Sequence, residues 1–402
     1  MDRLLPPRQA VVAYFSRVAV APPHSEYVSL DEASGRILAE AVAADDDYPA
    51  ANRSVMDGFA LRAQATPGRF EIVEDVRMGA APRRGIEARS ACRIPTGGVL
   101  PEGADAVVPI EDVRVEGEQI AVASALTAGE NVAKRAADMH RGEIVLPAGR
   151  RIRAQEVGVL ATVGVTRISV YRRPLVGVLS TGDELVEPSA RPALGEIRDS
   201  NRYAVAASLR AMGASPRHYP TLRDEAADFE PALATALAEC DALVLTGGTS
   251  VGERDRLPGA VATVADPGIV VHGLRVKPGK PTLLGAHGGK PIIGLPGNPT
   301  SALMMLEAVA SPIVAALVGA PLTTPAVRAR LAESLRSRPG WTWYVPVRLR
   351  DNGAMPSAHP LTLQSFSVSL LARADGYVVM EEREEEWPSD TIVTVSRFFG
   401  GA

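Results

Sequence analysis

The feature that most constrains this chain is a unit that recurs three times between residues 174 and 320: a short apolar run, a polar or glycine-rich loop, then helical periodicity. The first run, 175–179, ends in Ser180-Thr181-Gly182-Asp183-Glu184; helical periodicity follows over 203–212, with Val205, Leu209 and Met212 on one face and Gly213 as the stop. The second, 242–245, ends in Thr246-Gly247-Gly248-Thr249-Ser250-Val251-Gly252. The third, 291–295, ends in Pro296-Gly297-Asn298-Pro299, where Asn298 suits an N-cap and Pro299 the first helical position. Between the first two units, Phe229, Leu233 and Leu237 give a further amphipathic helix. Continuous apolar strands alternating with helices predict a mostly parallel sheet wound on both faces, with ligands at the carboxyl ends of its strands.

A chain of 402 residues exceeds one ordinary core, and the texture changes on either side of these units. Ala10, Tyr14 and Val18 share a helical face before Pro22-Pro23, and a short helix starts at Ser29. From about 49 to 118 the runs are short, β-like and punctuated by turn residues, which predicts an inserted β module. Within it Asp57-Gly58 reads as a hairpin turn, and Ile94-Pro95-Thr96-Gly97-Gly98 and Pro101-Glu102-Gly103 also read as turns. Residues 131–149 read as loop and 155–164 as helix; 300–320 reads as one buried helix followed by a second. Strands return after Pro321, and the acidic run 381–386 reads as a solvated loop. The expected fold class is therefore a multidomain α/β protein with a central doubly wound sheet, an inserted β module, a linker domain and a small C-terminal β domain. The expected boundaries are an N-terminal helix over 1–24, a linker built from 25–43 and 143–172, the β module at 44–142, the central domain at 173–322 and the C-terminal domain at 323–402.

Composition excludes several function classes. A net charge of −4 offers no global field for nucleic acid or an anionic membrane. Cys92 and Cys240 lie outside any CxxC pattern, so neither a disulfide framework nor a zinc site is expected. The start of the chain lacks the apolar core of a signal peptide, and a cytoplasmic protein is expected.

Chemistry concentrates in the loops. Glycines after a buried strand let successive N–H groups converge on an anion, so the loop at 246–252 is a candidate phosphate site; its other reading is a tight turn. It is neither a Walker loop nor GxGxxG. Lys277-Pro278-Gly279-Lys280-Pro281 holds two ammonium groups in a stiff loop, suited to an oxyanion or simply to a solvated turn. Asp183, Glu184, Asp224 and Asp255 lie at or just past loop ends, where carboxylates hold Mg²⁺ beside phosphates when they converge and act as caps when they do not. The dipole at Pro296-Gly297-Asn298-Pro299-Thr300-Ser301 favours an anion, although a purely structural cap explains Asn298 and Pro299 equally well.

Taken together, SVMDGFA (54–60), PTGGVLPEGADAVV (95–108), LSTGDEL (179–185), GGTSVGERD (247–255), KPGKP (277–281) and LPGNPTSA (295–302) resemble the MoeA/gephyrin E-domain family, the molybdopterin molybdenumtransferases, in order and spacing. The resemblance covers nearly the whole chain. It implies insertion of molybdate into adenylylated molybdopterin with release of AMP and use of Mg²⁺. It implies catalytic roles for Asp57, Thr96, Glu184, Asp224, Asp255, Lys277 and Lys280, with Glu184, Asp224 and Asp255 on the metal. It places Thr181, Gly182, Asp183, Gly247, Gly248, Ser250, Gly252, Pro296, Asn298, Ser301 and Ser365 around the pterin nucleotide. It also implies a homodimer in which one subunit's C-terminal domain closes the other's site, and an upstream molybdopterin adenylyltransferase as partner. Three positions depart from the family pattern: Ala136-Ala137-Asp138 stands for Gly-Glu-Asp, Gln364-Ser365-Phe366 stands for a Gly-Ser-rich turn, and the strand arginine near the start of the last domain is replaced around Pro346. Two other readings stand beside this one, an adenylyltransferase acting on molybdopterin itself and a non-catalytic paralogue that holds the nucleotide or partner proteins.

Overall fold

The computed structural model describes residues 4–223, 229–249, 256–361 and 366–400. At its centre six strands are ordered Ser215–His218, Leu175–Ser180, Ala242–Thr246, Lys290–Leu295, Leu283–His287 and Pro267–His272. The first four run parallel. The last two add antiparallel pairings, so the sheet is mixed at one edge, where a hairpin needs no crossover helix.

Alternate strand residues sort into two cores, as a doubly wound sheet requires. Val176, Val178, Val244 and Ile293 pack with Val205, Leu209 and Met212 of helix Asn201–Met212. Leu179, Leu243, Leu245 and Ile292 pack on the other face with Phe229, Leu233, Leu257 and Val261. The expected helix stop is present: Gly213 has a φ of 104°, and its N–H caps Leu209 and Arg210 carbonyls.

The region expected to hold two helices, 300–320, is instead one continuous 20-residue helix, Pro299–Val318. A π turn over Leu306–Ala310 joins its two α segments just before Pro312, and the looser i→i+5 pattern lets the helix pass the missing proline N–H. By length and composition it is long and apolar enough to cross a membrane, yet Met304, Leu306, Val309, Ile313 and Leu317 are buried in the central core. The N-terminal helix is shorter than its periodicity suggested. It covers Pro7–Phe15, and Val18 reaches the same core from the turn that follows.

Two more six-stranded sheets and several two-stranded ones flank the centre. Ser25–Ser29 pairs with Arg167–Tyr171, and Val42–Ala43 with Ile144–Leu146, so chain segments more than a hundred residues apart meet over a core of Leu38, Ile152, Leu160 and Val170. A six-stranded sheet is built wholly from strands between Gly58 and Val122, none of which joins the central sheet. The Asp57-Gly58 pair is not a hairpin turn. Arg53–Ser54 pairs with Val132–Ala133 rather than with Gly58–Leu61, because Asp57 is held across the loop by Thr96. That pairing, with Ile144–Leu146, also puts two short strands in the segment read as loop. In the C-terminal unit Thr342–Arg350, Ser357–Pro360, Ala326–Leu331, Ile392–Arg397 and Gly376–Met380 close into a ring around Leu331, Val345, Val347, Val378 and Val395. The acidic run is not simply solvated: Glu381, Glu382 and Glu386 pair with Arg8, Arg275 and Arg336.

Glu307, 7% exposed within the π turn, ties this unit to the central one. Ser208 Oγ donates to its Oε1 at 2.8 Å and Phe399 N–H to its Oε2 at 3.1 Å. Burial pushes its pKa above the usual carboxylate value, against both hydrogen bonds. In the window between the ordinary and the raised value the folded state keeps a proton that the unfolded chain has released, so this contribution to stability falls as pH rises through the window. Glu307→Gln can still accept from Phe399 and can donate to Ser208. Thermal unfolding should find it at least as stable as wild type above the window, with a flatter pH profile, whereas Glu307→Ala should lose about 1–3 kcal/mol through the two stranded donors.

Candidate functional site

The carboxyl ends of the parallel strands open into a cavity of about 1740 Å³, faced on the far side by the C-terminal unit of the same chain. Its position follows from the crossover connections, which place every strand-to-helix loop at one edge. Thr181, Gly182 and Glu184 line it from the first loop, and Gly247, Gly248 and Thr249 from the second. Lys277 and Lys280 come from the proline-bounded loop, and Pro296, Asn298 and Ser301 from the head of the long helix. Four loops chosen separately along the chain thus meet in one place. Asp183 does not line the cavity; its backbone carbonyl accepts from Arg223. Asp224, Ser250, Gly252, Asp255 and Ser365 lie outside the described residues.

Asp57 and Thr96 also stand apart from the cavity lining. Thr96 donates to Asp57 Oδ1 from its N–H at 2.6 Å and from Oγ1 at 3.0 Å, which holds the Asp57 carboxyl below the usual carboxylate range. The pair forms an exposed, ionised unit on the β module.

The glycine loop is tightly built against the first strand's loop. Gly247 has a φ of 86°, and a Cβ there would lie 2.5 Å from Thr181 O and 2.9 Å from Thr181 Oγ1. Its own N–H donates to Leu295 O, so donors for an anion must come from Gly248 onward. Thr181 Oγ1 is buried and has no hydrogen-bond partner among the described residues. A buried polar atom left unpaired costs free energy, and a ligand oxygen at the cavity would supply the partner. At the helix head Asn298 occupies the N-cap position and Pro299 follows, although the Asn298 side chain makes no capping hydrogen bond. Ser301 is buried, and Thr300 Oγ1 donates to Ser367 O of the C-terminal unit at 2.9 Å.

Several lining residues gave no signal in the sequence. Asp199, 2% exposed, caps helix Asn201–Met212 by accepting from Arg202 N–H through Oδ1. Its Oδ2 makes no hydrogen bond among the described residues and lies 3.5 Å from Arg202 Nε, an ion-pair contact. An Asp-Ser-Asn run just ahead of a helix could have marked it as a loop-end acid. Arg338, Trp341 and Trp343 also face the cavity from the C-terminal unit, and nothing local in the chain foretells that placement. Among the described residues no group of three or more acids, histidines or cysteines could cage a metal. Glu184, Glu196 and Asp199 are the acidic residues in the cavity lining.

Gly247→Ala should therefore force the loop off Thr181. Titration of AMP should show affinity reduced about tenfold, the loss expected when a charge-assisted hydrogen bond is misaligned, with the circular dichroism spectrum unchanged.

Comparison with known proteins agrees with the layout. Residues 5–164 match the family profile described as "MoeA N-terminal region (domain I and II)", 177–316 the "Probable molybdopterin binding domain", and 328–398 the "MoeA C-terminal region (domain IV)". A molybdopterin molybdenumtransferase of Bacillus subtilis (strain 168) is 31% identical over 384 residues, covering 92% of this chain and 89% of that protein. One from Haemophilus influenzae is 33% identical over 301 residues, covering 74% of each. The crystal structure of the molybdopterin biosynthesis MoeA protein from Pyrococcus horikoshii OT3 superposes with a TM-score of 0.84 at 26% identity, across 98% of this chain and 100% of that one. With matched segments running from residue 5 to residue 398, this chain belongs to the MoeA family of molybdopterin molybdenumtransferases.

Proposed function

We propose that this chain inserts molybdate into adenylylated molybdopterin and releases AMP, a step of molybdenum cofactor biosynthesis. The observation that carries this reading is the convergence of two kinds of anion-binding group on one cavity. The Thr181-Gly182 and Gly247-Gly248 loops lie at the strand ends, and Lys277, Lys280 and the helix head at Pro299 lie beside them. A nucleotide pyrophosphate suits the first set, where the glycine loops lie at the cavity and the buried Thr181 hydroxyl beside them has no hydrogen-bond partner among the described residues. A tetrahedral dianion suits the second, with two ammonium groups and a helix dipole. Holding both substrates in one cavity aligns the dithiolene with the oxyanion, and Leu361, Phe366 and Leu370 add apolar surface to the same cavity.

Mg²⁺ fits the donor set. It takes hard oxygen ligands, keeps several waters and commonly shares substrate phosphates, so it needs no closed protein cage. Asp199, whose buried Oδ2 accepts no hydrogen bond among the described residues, and Glu184 would hold it at the wall, and Asp224 and Asp255 belong to the same reading. The ion would neutralise charge on the pyrophosphate. The C-terminal unit faces its own chain's cavity, against the expectation that it closes the other subunit's site; Asp57 and Thr96, which do not line that cavity, support instead a homodimer in which the β module of one subunit serves the cavity of the other. The reading also includes a cytoplasmic setting and an upstream adenylyltransferase that supplies the substrate.

The test incubates purified protein with adenylylated molybdopterin, molybdate and Mg²⁺ and follows AMP. Molybdate-dependent release is expected; tight nucleotide binding without release would leave the non-catalytic paralogue. Asp199→Asn should lower the rate of release about a hundredfold while nucleotide affinity stays within a few-fold, because a positioned charge acts mainly in the transition state. Lys280→Ala should weaken molybdate binding about tenfold by calorimetry at low salt.

A further inference from the structure

We propose that Trp343 is a positioning residue for Lys277, so that the C-terminal ring of the same chain sets where the oxyanion is received. This rests on the reading that Lys277 meets molybdate. The two-residue strand Val276–Lys277 adds in parallel to Thr342–Arg350, in a register that places Lys277 beside Trp343. Neighbouring positions on adjacent strands project to the same face, and here the Lys277 ammonium lies 4.6 Å from the centre of the Trp343 ring. Both side chains line the cavity.

The choice of partner matters chemically. A carboxylate would hold an ammonium in place but cancel the charge that an anion must meet. An indole face holds it through the ring quadrupole, leaves the charge intact, and leaves N–H donors free to turn toward the cavity. Among the described residues Lys277 makes no ion pair with a carboxylate. A lysine stem is otherwise loose, and restraining it before the ligand arrives removes an ordering cost from binding. The chain contains only four lysines, at 134, 277, 280 and 290, and otherwise uses arginine for positive charge. A compact ammonium at 277 suits a π face that fixes it and a small oxyanion that approaches from one side.

The test is calorimetric titration of molybdate into wild type, Trp343→Phe, Trp343→Leu, Lys277→Ala and the Lys277→Ala/Trp343→Leu double variant. Trp343→Leu should weaken binding about three- to tenfold, and Trp343→Phe, which keeps a π face, should recover most of that. On the Lys277→Ala background Trp343→Leu should cost nothing further. In the AMP-release assay the Leu variant should raise the KM for molybdate and leave kcat near wild type. Binding by the Leu variant equal to wild type, a Phe variant as weak as the Leu variant, or a full additional loss on the Lys277→Ala background would each overturn the inference. Should Trp343→Leu fail to fold, NMR of wild type labelled at lysine Cε decides instead. The Lys277 signal, identified by its loss in Lys277→Ala, should be shifted upfield by the indole, and an unshifted signal overturns the inference. No molybdate binding by wild type would remove the functional reading underneath, whereas binding indifferent to Trp343 removes only this inference.

Discussion

The structure depends on covering both faces of the parallel strands. Val176, Val178 and Val244 face one helical layer while Leu179, Leu243 and Leu245 face the other, so both sides of the central strands are covered. Parallel pairing leaves no tight hairpin available, and each strand must return through a crossover. All strand-to-helix loops therefore emerge at the same edge. The cavity is a consequence of that connectivity before any residue in it is chosen.

The second dependence is between units. Among the contacts that dock the C-terminal ring on the central unit are three of different kinds. Val276–Lys277 joins the ring by backbone pairing, Glu307 receives the Phe399 N–H, and Thr300 donates to Ser367. Two of them originate in the long helix whose head lines the cavity, so the geometry of the mouth and the placement of the ring are mechanically linked. The buried carboxylate of Glu307 is costly in its charged form, as the direction of its pKa shift records. Its retention in a helix that is otherwise uncharged is explained by the backbone and hydroxyl donors it satisfies.

Much of the central fold was legible because its signals are local. The strands at 175, 242 and 291 and the helices after them follow from apolar runs and 3.6-residue periodicity, and Gly213 and Pro299 mark a stop and a start. Where local signals competed, the reading departed from the structure. Pro312 argued for two helices, but a π turn carries the helix through it. Asp57-Gly58 argued for a hairpin, but Asp57 is engaged by Thr96 nearly forty residues away. The antiparallel strands at 267 and 283 carry no pattern that separates them from buried loop.

The site divides along the same line. Sequence alone determined the chemistry of the loops: where glycines free the backbone, where lysines are held between prolines, and where a helix begins with its dipole exposed. Those properties belong to a few adjacent residues and need no fold to exist. Only the tertiary structure decided which loops share a cavity. It brought in Asp199, Trp341 and Trp343, left Asp57 and Thr96 outside the lining, and set an indole against Lys277. The reason is physical. Strand pairing and the docking of the ring join positions such as 277 and 343, and the energies that join them come from packing and hydrogen bonds between segments that carry no trace of one another in the local sequence.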